Sequence, residues 1–269
     1  MKKNKPYQLA LFGHPVHHSL SPKIHQHFAE QFKLTIDYQL IDCKKTEFAH
    51  SVKKFFKEGG HGANVTFPYK NDALEIIDNI SQRAEKAQAV NTLLIDNMKN
   101  LQGDNTDGVG FINALNKRCK FDCAGKNILI LGAGGATQGI VPAIMQQQPQ
   151  KIVVANRTLK KAQDICHFEN SKAVTFSQLN NLNEKFDLII HASSLGHLGR
   201  CLEFSSKHIH QKTISYDLSY GKAAEPFLEF SRKRGILNVY DGKGMLIEQA
   251  ACAFEKWFKL MPATDSIKL

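Results

Sequence analysis

The sequence predicts an α/β protein of two domains, each a parallel sheet covered by helices. Three observations carry this expectation. Short apolar runs alternate with amphipathic helical patterns almost to the end of the chain, as in strand–helix–strand units whose sheets are covered on both faces. At 269 residues the chain is long for one core and comfortable for two modest ones. Near its middle, the Gly- and Asp-rich turn "LQGDNTDGVGF" precedes a fresh strand–helix series, which sets the boundary between residues 1–106 and 107–241.

In the first series, "YQLALFG", "DYQLIDC", "ANVTF" and "VNTLLID" read as strands. Between them, "SPKIHQHFAEQF", "EFAHSVKKFFKE" and "NDALEIIDNI" repeat apolar residues at helical spacing. Ser21 followed by Pro22 reads as an N-cap with proline at the first helical position. In the second series the strands are "NILILG", "KIVVAN", "DLIIHA", "TISYDL" and "ILNVYD", and the helices are "GGATQGIVPAIMQQ", "KKAQDICHF" and "AEPFLEFSRKRG". A last helix, "GMLIEQAACAFEKWF", lies in segment 242–269, and its own sequence leaves open which domain it packs on.

The apolar share of 42% is that of an ordinary globular protein. A net charge of +10 and a pI near 9.2 suit nucleic acid, an anionic membrane face or acidic small molecules. The lysines are scattered over many short segments without a basic arm interleaved with aromatics, so acidic small molecules are the expected partners and nucleic acid is not. No apolar run is long enough for a bilayer span, and "YQLALFG", after the basic start, is too short for a signal core. The six cysteines lie far apart with no C-x-x-C pair, which suggests reduced thiols in a cytoplasmic protein. The histidines of "HPVHHSLSPKIHQHF" lack Cys or acidic partners at ligand spacing, so no metal is expected. The oligomeric state is not legible; a homodimer is left open.

In "NILILGAGGATQG" a buried strand runs into Gly132, Ala133, Gly134 and Gly135, and then into a helix carrying Ala136 and Thr137. Glycines there permit a tight turn and let backbone amides approach a pyrophosphate, whose charge the helix N-terminus favours. The strand before and the helix after make this a dinucleotide-binding, Rossmann-type signal. About 20 residues on, the second strand of such a domain meets the adenosine ribose. Here it ends in "ANRT", with Asn156, Arg157 and Thr158 in place of an acid. An acid would accept from a 2′-hydroxyl and repel a 2′-phosphate. Arg157 can donate two bonds to a phosphate, and Thr158 and Lys161 add a hydroxyl and a second positive charge. The cofactor expected is NADP(H).

Two further segments hold polar groups that a fold needs little. In "GANVTFPYKNDA" Lys70 follows a strand, and in "LQGDNTDGVGF" Asp104, Asn105, Thr106 and Asp107 crowd the start of a helix. With a nicotinamide, Lys70 and Asp107 would form an acid–base pair for carbonyl–alcohol interconversion.

The segments "GHPVHHSLSPKIHQHF", "GANVTFPYK", "AVNTL", "GDNTDGVGF", "LGAGGAT", "ANRT" and "DGKGMLIEQAACAFEKW", in this order and over nearly the whole chain, resemble those of the NADP-dependent shikimate dehydrogenases. The resemblance implies reversible reduction of 3-dehydroshikimate to shikimate. It also implies a substrate-binding domain of residues 1–106 completed by 242–269, and an NADP-binding domain of 107–241. Ser19 and Ser21 would bind the substrate carboxylate; Asn64, Thr66, Asn91, Asp107 and Gln249 would hold ring hydroxyls; Tyr220 would close the pocket. Lys70 and Asp107 become the catalytic pair. Besides the glycine loop and "ANRT", the cofactor contacts would include Ala192, Ser193, Leu218 and Gly242.

Two positions depart from the family pattern. Lys161 stands where arginine is frequent, giving a point charge in place of a fork. His191, in "IIHASSLG", stands where asparagine is usual, and is read as a packing substitution beside the cofactor loop. A quinate or dual-specificity enzyme shares nearly all these motifs; the serine pair favours shikimate and Arg157 disfavours NAD. A catalytically silent NADPH-binding sensor is disfavoured by the retained Lys70 and Asp107.

Overall fold

In the computed structural model, residues 5–267 are described. They form two compact units: one takes the chain up to Gly110 and from Leu246 onward, the other is Phe111–Met245.

The first unit holds a six-stranded sheet of β1 (Tyr7–Gly13), β2 (Ile36–Asp42), β3 (Gly60–Val65), β4 (Asn79–Ile80), β5 (Thr92–Ile95) and β6 (Leu101–Asp104), in the order β2-β1-β3-β5-β6-β4. β1 runs parallel to β2 and β3, but β5 is antiparallel to both β3 and β6. The sheet is therefore mixed, not parallel as its sequence pattern suggested. The reason is local: Asp96 accepts the amides of Met98 and Asn100 at 2.8 and 2.9 Å, closing a hairpin, and a connection this short can join only antiparallel neighbours. β6 lies inside the segment read as a turn, because Gly and Asp are poor strand formers on propensity alone.

Two other expectations fail here. "NDALEIIDNI" is not a helix but a single 3-10 turn, Asp72–Glu75, followed by the edge strand β4, which pairs with β6. The amide and carboxylate of Asp78 bond the carbonyl and amide of Leu101 at 2.8 and 2.7 Å, so sheet pairing overrides the helical spacing. The N-cap of α1 (Ser21–Gln31) is Leu20; Ser21 is already helical and caps nothing. Its oxygen accepts instead from the Ser19 hydroxyl at 3.1 Å, while proline in the first turn is where its missing amide costs least.

Side-chain alternation along β1 sends Ala10 and Phe12 to one core, with Phe48, Val52 and Phe55 of α2 (Lys45–Lys57). Leu9 goes to the other face, with Ile24 and Phe28 of α1 and with Ala250, Phe254 and Trp257 of α9 (Lys243–Phe258). α9 sits close on the sheet: a Cβ on Gly62 would lie 2.4 Å from the Trp257 ring, and the indole nitrogen donates to the Leu93 carbonyl at 3.0 Å. Two shorter helices complete the unit's site: α3 (Gln82–Ala87), capped by Ser81, and α4 (Asp107–Ala114), which carries the chain into the second unit.

The second unit is a parallel sheet of β7 (Asn127–Leu131), β8 (Lys151–Ala155), β9 (Ser171–Val174), β10 (Leu188–His191), β11 (Ile214–Asp217) and β12 (Asn238–Tyr240), ordered β12-β11-β10-β7-β8-β9. Helices α5 (Gly135–Gln146), α6 (Leu159–Gln163), α7 (Phe176–Asn181) and α8 (Glu225–Lys233) connect it. β9 and α7 were too short to stand out in the sequence. Ile128, Ile130, Ile152 and Val154 enter one core and Leu129, Leu131, Val153 and Ala155 the other, as continuous apolar strands buried on both faces must. The strand order reverses between β7 and β10, the switch point at which doubly wound sheets hold ligands.

Phe254→Ala is expected to destabilise the protein by about 3–5 kcal/mol, because the ring is fully buried. Leu237→Ala, at 86% exposed, should stay within about 0.5 kcal/mol of the parent. Urea unfolding midpoints check both; equal midpoints for the two variants would contradict this assignment of the core.

Candidate active site

In the first unit, strand register lines up a row of polar residues. Asn64 of β3 pairs with Thr92 of β5, which pairs with Asp104 of β6. Asn91 precedes this row and Asp107 opens α4 just after it. Asp107 is buried, and both its carboxylate oxygens are engaged: Lys70 Nζ lies 2.5 Å from Oδ2 and Asn91 Nδ2 2.9 Å from Oδ1. Asn105 accepts the Asp107 amide at 3.0 Å, and the first turn of a helix favours a negative charge.

Asn91 is the hub. Its carbonyl oxygen accepts the Thr106 amide and the Thr92 hydroxyl, each at 2.8 Å. Its amide nitrogen also reaches Thr106 Oγ1 at 3.0 Å and Gln249 Oε1 of α9 at 3.3 Å. Asn64 donates to the main-chain carbonyl of Asn91 at 3.1 Å and accepts from the Tyr38 hydroxyl at 2.8 Å. Lys70, Asn64, Asn91, Asp107 and Gln249 thus form one connected cluster. Thr66, just past β3, stands outside this bonding network; its methyl lies over Gly13. Ser19 and Ser21 bond each other at 3.1 Å, in a loop whose His14 and His17 both contact Asp42. Among the described residues no cluster of His, Cys, Asp or Glu could hold a metal.

Three features of this unit escaped the sequence reading. Tyr38 looks like any alternating strand residue, yet its hydroxyl joins the cluster, and burial pushes its pKa upward. His25 stacks on Tyr38 with ring centroids 4.9 Å apart. Its nitrogens are buried without partners, and desolvation, only partly offset by nearby Asn64, lowers its pKa to about 3. It is therefore neutral. Finally, Asp104 takes a two-point contact from Arg83 at 2.6 and 2.7 Å, and bonds from Ser81 and Lys256 at 2.6 and 2.9 Å. Burial pushes its carboxyl up, but these donors hold it well below the usual range. The "GDNTD" crowding was visible in sequence; its partners, far along the chain, were not.

In the second unit, Gly132 adopts φ +114°, and a Cβ there would lie 2.6 Å from the Ala192 carbonyl. Only glycine suits that position. Gly134 caps α5 without a side-chain bond, and a Cβ on it would meet no protein atom. The loop is thus an open backbone cradle, with helix amides unclaimed by any capping side chain, and it suits a phosphate group. Thr137 is buried, with its hydroxyl on the Gly132 carbonyl at 3.0 Å.

At the end of β8, Arg157, Thr158 and Lys161 are exposed, and Asn156 donates to the Thr158 carbonyl at 2.9 Å. Ala192 and Ser193 follow β10, Leu218 and Tyr220 follow β11, and Gly242 follows β12. A Cβ on Gly242 would come within 2.2 Å of the Leu218 carbonyl. All these candidates for cofactor contact lie just beyond the carboxyl ends of the parallel strands, together with Tyr220 from the substrate set.

An open glycine cradle on a doubly wound sheet in one unit, and a lysine paired with a buried carboxylate in the other, define a dinucleotide-binding class of α/β protein. Residues 11–93 match the family description "shikimate dehydrogenase substrate binding domain", and residues 114–215 match "shikimate / quinate 5-dehydrogenase". The shikimate dehydrogenase (NADP(+)) of Aeromonas salmonicida is 40% identical over 258 residues, 96% of this chain and 94% of that protein. Among solved structures, an Ael1 enzyme from Pseudomonas putida superposes with a TM-score of 0.88 at 31% identity, over 96% of this chain and 95% of that one. Shikimate 5-dehydrogenase from Thermus thermophilus, in complex with NADP(H) and shikimate, gives 0.82 at 29% identity, over 96% and 95%. The chain belongs to the shikimate dehydrogenase family.

Arg83→Ala leaves the Asp104 carboxylate with fewer donors and should destabilise the protein by about 1–3 kcal/mol, discounted because Arg83 is partly exposed and Lys256 remains. A carboxyl whose folded pKa is depressed stabilises the fold above its unfolded pKa of about 3.9, and that contribution is lost as pH falls through the folded value. Removing Arg83 raises the folded value, so acid unfolding should begin at higher pH. Coincident acid-unfolding curves for parent and variant would contradict the assigned pairing.

Proposed function

We propose that this protein catalyses the reversible, NADP(H)-dependent reduction of 3-dehydroshikimate to shikimate, as a cytoplasmic enzyme of aromatic amino acid and chorismate biosynthesis. The observation that carries the reading is the 2.5 Å contact of Lys70 with buried Asp107, itself bonded to Asn91. Family membership and the named relatives support the substrate and cofactor. Residues 1–106 with 242–269 form the substrate-binding domain and 107–241 the NADP-binding domain, close to the division between the compact units.

The nicotinamide, when bound, supplies the hydride that reduces the C3 carbonyl carbon. The oxygen then carries developing negative charge and needs a proton. Lys70 supplies both a positive charge and a proton at Nζ, and Asp107 holds that ammonium in place. In the reverse direction the lysine takes the proton back. The amide–carboxylate cluster of Asn64, Asn91, Asp107 and Gln249, with Thr66 nearby, presents acceptors and donors that suit a polyhydroxylated ring. Ser19 and Ser21 offer paired hydroxyls to its carboxylate, and Tyr220 covers it.

On the cofactor side, amides of residues 133–137 bind the pyrophosphate at the start of α5, after Gly132, whose own amide donates to the Ala155 carbonyl at 2.8 Å. Arg157 takes the 2′-phosphate as a two-point fork, with Asn156, Thr158 and Lys161 beside it. Ala192, Ser193, Leu218 and Gly242 contact the nicotinamide half.

Lys70→Ala should lower kcat by about 10²–10⁴ with a much smaller change in the shikimate KM, measured by steady-state kinetics; near-normal kcat would remove Lys70 from the reaction. Arg157→Ala should raise the NADP KM by about tenfold or more, the loss of a charge-assisted bond, and leave rates with NAD unchanged. An unaltered NADP KM would sink the 2′-phosphate assignment.

A further inference from the structure

His191, at the end of β10, is fully buried and bonded through both ring nitrogens. It is not merely the packing substitution its sequence suggested. Nδ1 lies 2.8 Å from Asp217 Oδ2, at the end of the neighbouring β11. Nε2 faces the Leu202 amide at 3.2 Å and the Ser193 hydroxyl at 3.0 Å. The ring stacks on Phe227 of α8, with centroids 4.7 Å apart and planes 16° off parallel.

These contacts determine the tautomer. A backbone amide can only donate, so Nε2 is a bare acceptor and the ring proton sits on Nδ1, donated to Asp217. The other Asp217 oxygen accepts the Ser219 amide at 2.7 Å, so the carboxyl serves as an ionised acceptor at both oxygens. Burial pushes its pKa up, against the stabilising bond from His191. One neutral imidazole thereby ties β10 to β11 and grips the 192–202 loop at both its ends.

An asparagine could not do this. Its carboxamide atoms overlie ring positions Nδ1 and Cδ2, one bond short of Nε2, so it could keep Asp217 but would leave the Leu202 amide unanswered.

We infer that His191 is a positioning residue of the cofactor site: as an acceptor at Nε2 it holds the 192–202 loop in place for NADP(H). The inference rests on the proposal that Ala192 and Ser193 contact the cofactor.

The test is NADPH binding, by fluorescence titration of the whole protein at about pH 8. Affinities are read as ratios to that of the parent. At pH 8 His191→Asn should bind NADPH about tenfold more weakly than the parent, the value of one lost buried bond. His191→Gln, whose carboxamide oxygen reaches the Nε2 position, should recover much of the pH 8 affinity.

His191→Asn binding like the parent at pH 8, or His191→Gln binding no better than His191→Asn, would overturn the inference. Loss of NADPH binding in the parent would instead overturn the functional proposal. The clamp is then still read without cofactor, from the imidazole ¹⁵N shifts of His191 and hydrogen exchange at the Leu202 amide: a protonated Nε2 at pH 8 or an unprotected amide would refute it.

Discussion

A carboxylate buried as deeply as that of Asp107 must have both oxygens occupied by donors, because an unpaired charge removed from water costs several kcal/mol. Lys70 and Asn91 occupy them, and each is bonded onward. Asn91 can orient its amide only because its own oxygen is taken by Thr106 and Thr92. The register of β3, β5 and β6 brings those groups to one end of the sheet, so the antiparallel hairpin that departs from a simple α/β pattern is what assembles the site. Below it, Asp104 with Arg83, Ser81 and Lys256 anchors the strand that leads into α4. Lys70 is thus placed by a chain of satisfied polar groups, with little freedom left for its partner carboxylate to turn.

The second unit meets the complementary problem. Its sheet ends in backbone amides that no capping side chain takes up, and the glycines at 132 and 134 keep that end open. Two devices hold neighbouring strand ends in register with it: the Thr137 hydroxyl on the Gly132 carbonyl, and the His191 ring between β10, β11 and the following loop.

Much of this could be read from the chain. The glycine loop, "ANRT" and the continuous apolar strands carry their own physical signatures, since each needs particular residue types at a particular spacing. The Lys70 and Asp107 pair also stood out, as charges at the ends of elements with no structural use. What stayed hidden depends on long-range pairing. β6 is a strand because β5 folds back on it, not because "LQGD" favours one. "DALEIIDNI" has helical spacing, but Leu101 claims Asp78. Tyr38, Arg83 and Ser81 carry no local mark of their partners. His191 was visible as a departure from the family, yet its meaning lay in Leu202 and Asp217, one a backbone amide that no side-chain pattern announces.

The most direct measurement is the initial rate of nicotinamide reduction by the purified protein with shikimate or quinate, each paired with NADP or NAD. Fast turnover confined to shikimate with NADP is the expected result, because paired hydroxyls meet the acid and a guanidinium meets the 2′-phosphate. Comparable rates with quinate or with NAD would contradict the specificity assigned to those groups. No turnover with any pair, in a protein that binds NADPH, would contradict the catalytic role given to Lys70 and Asp107.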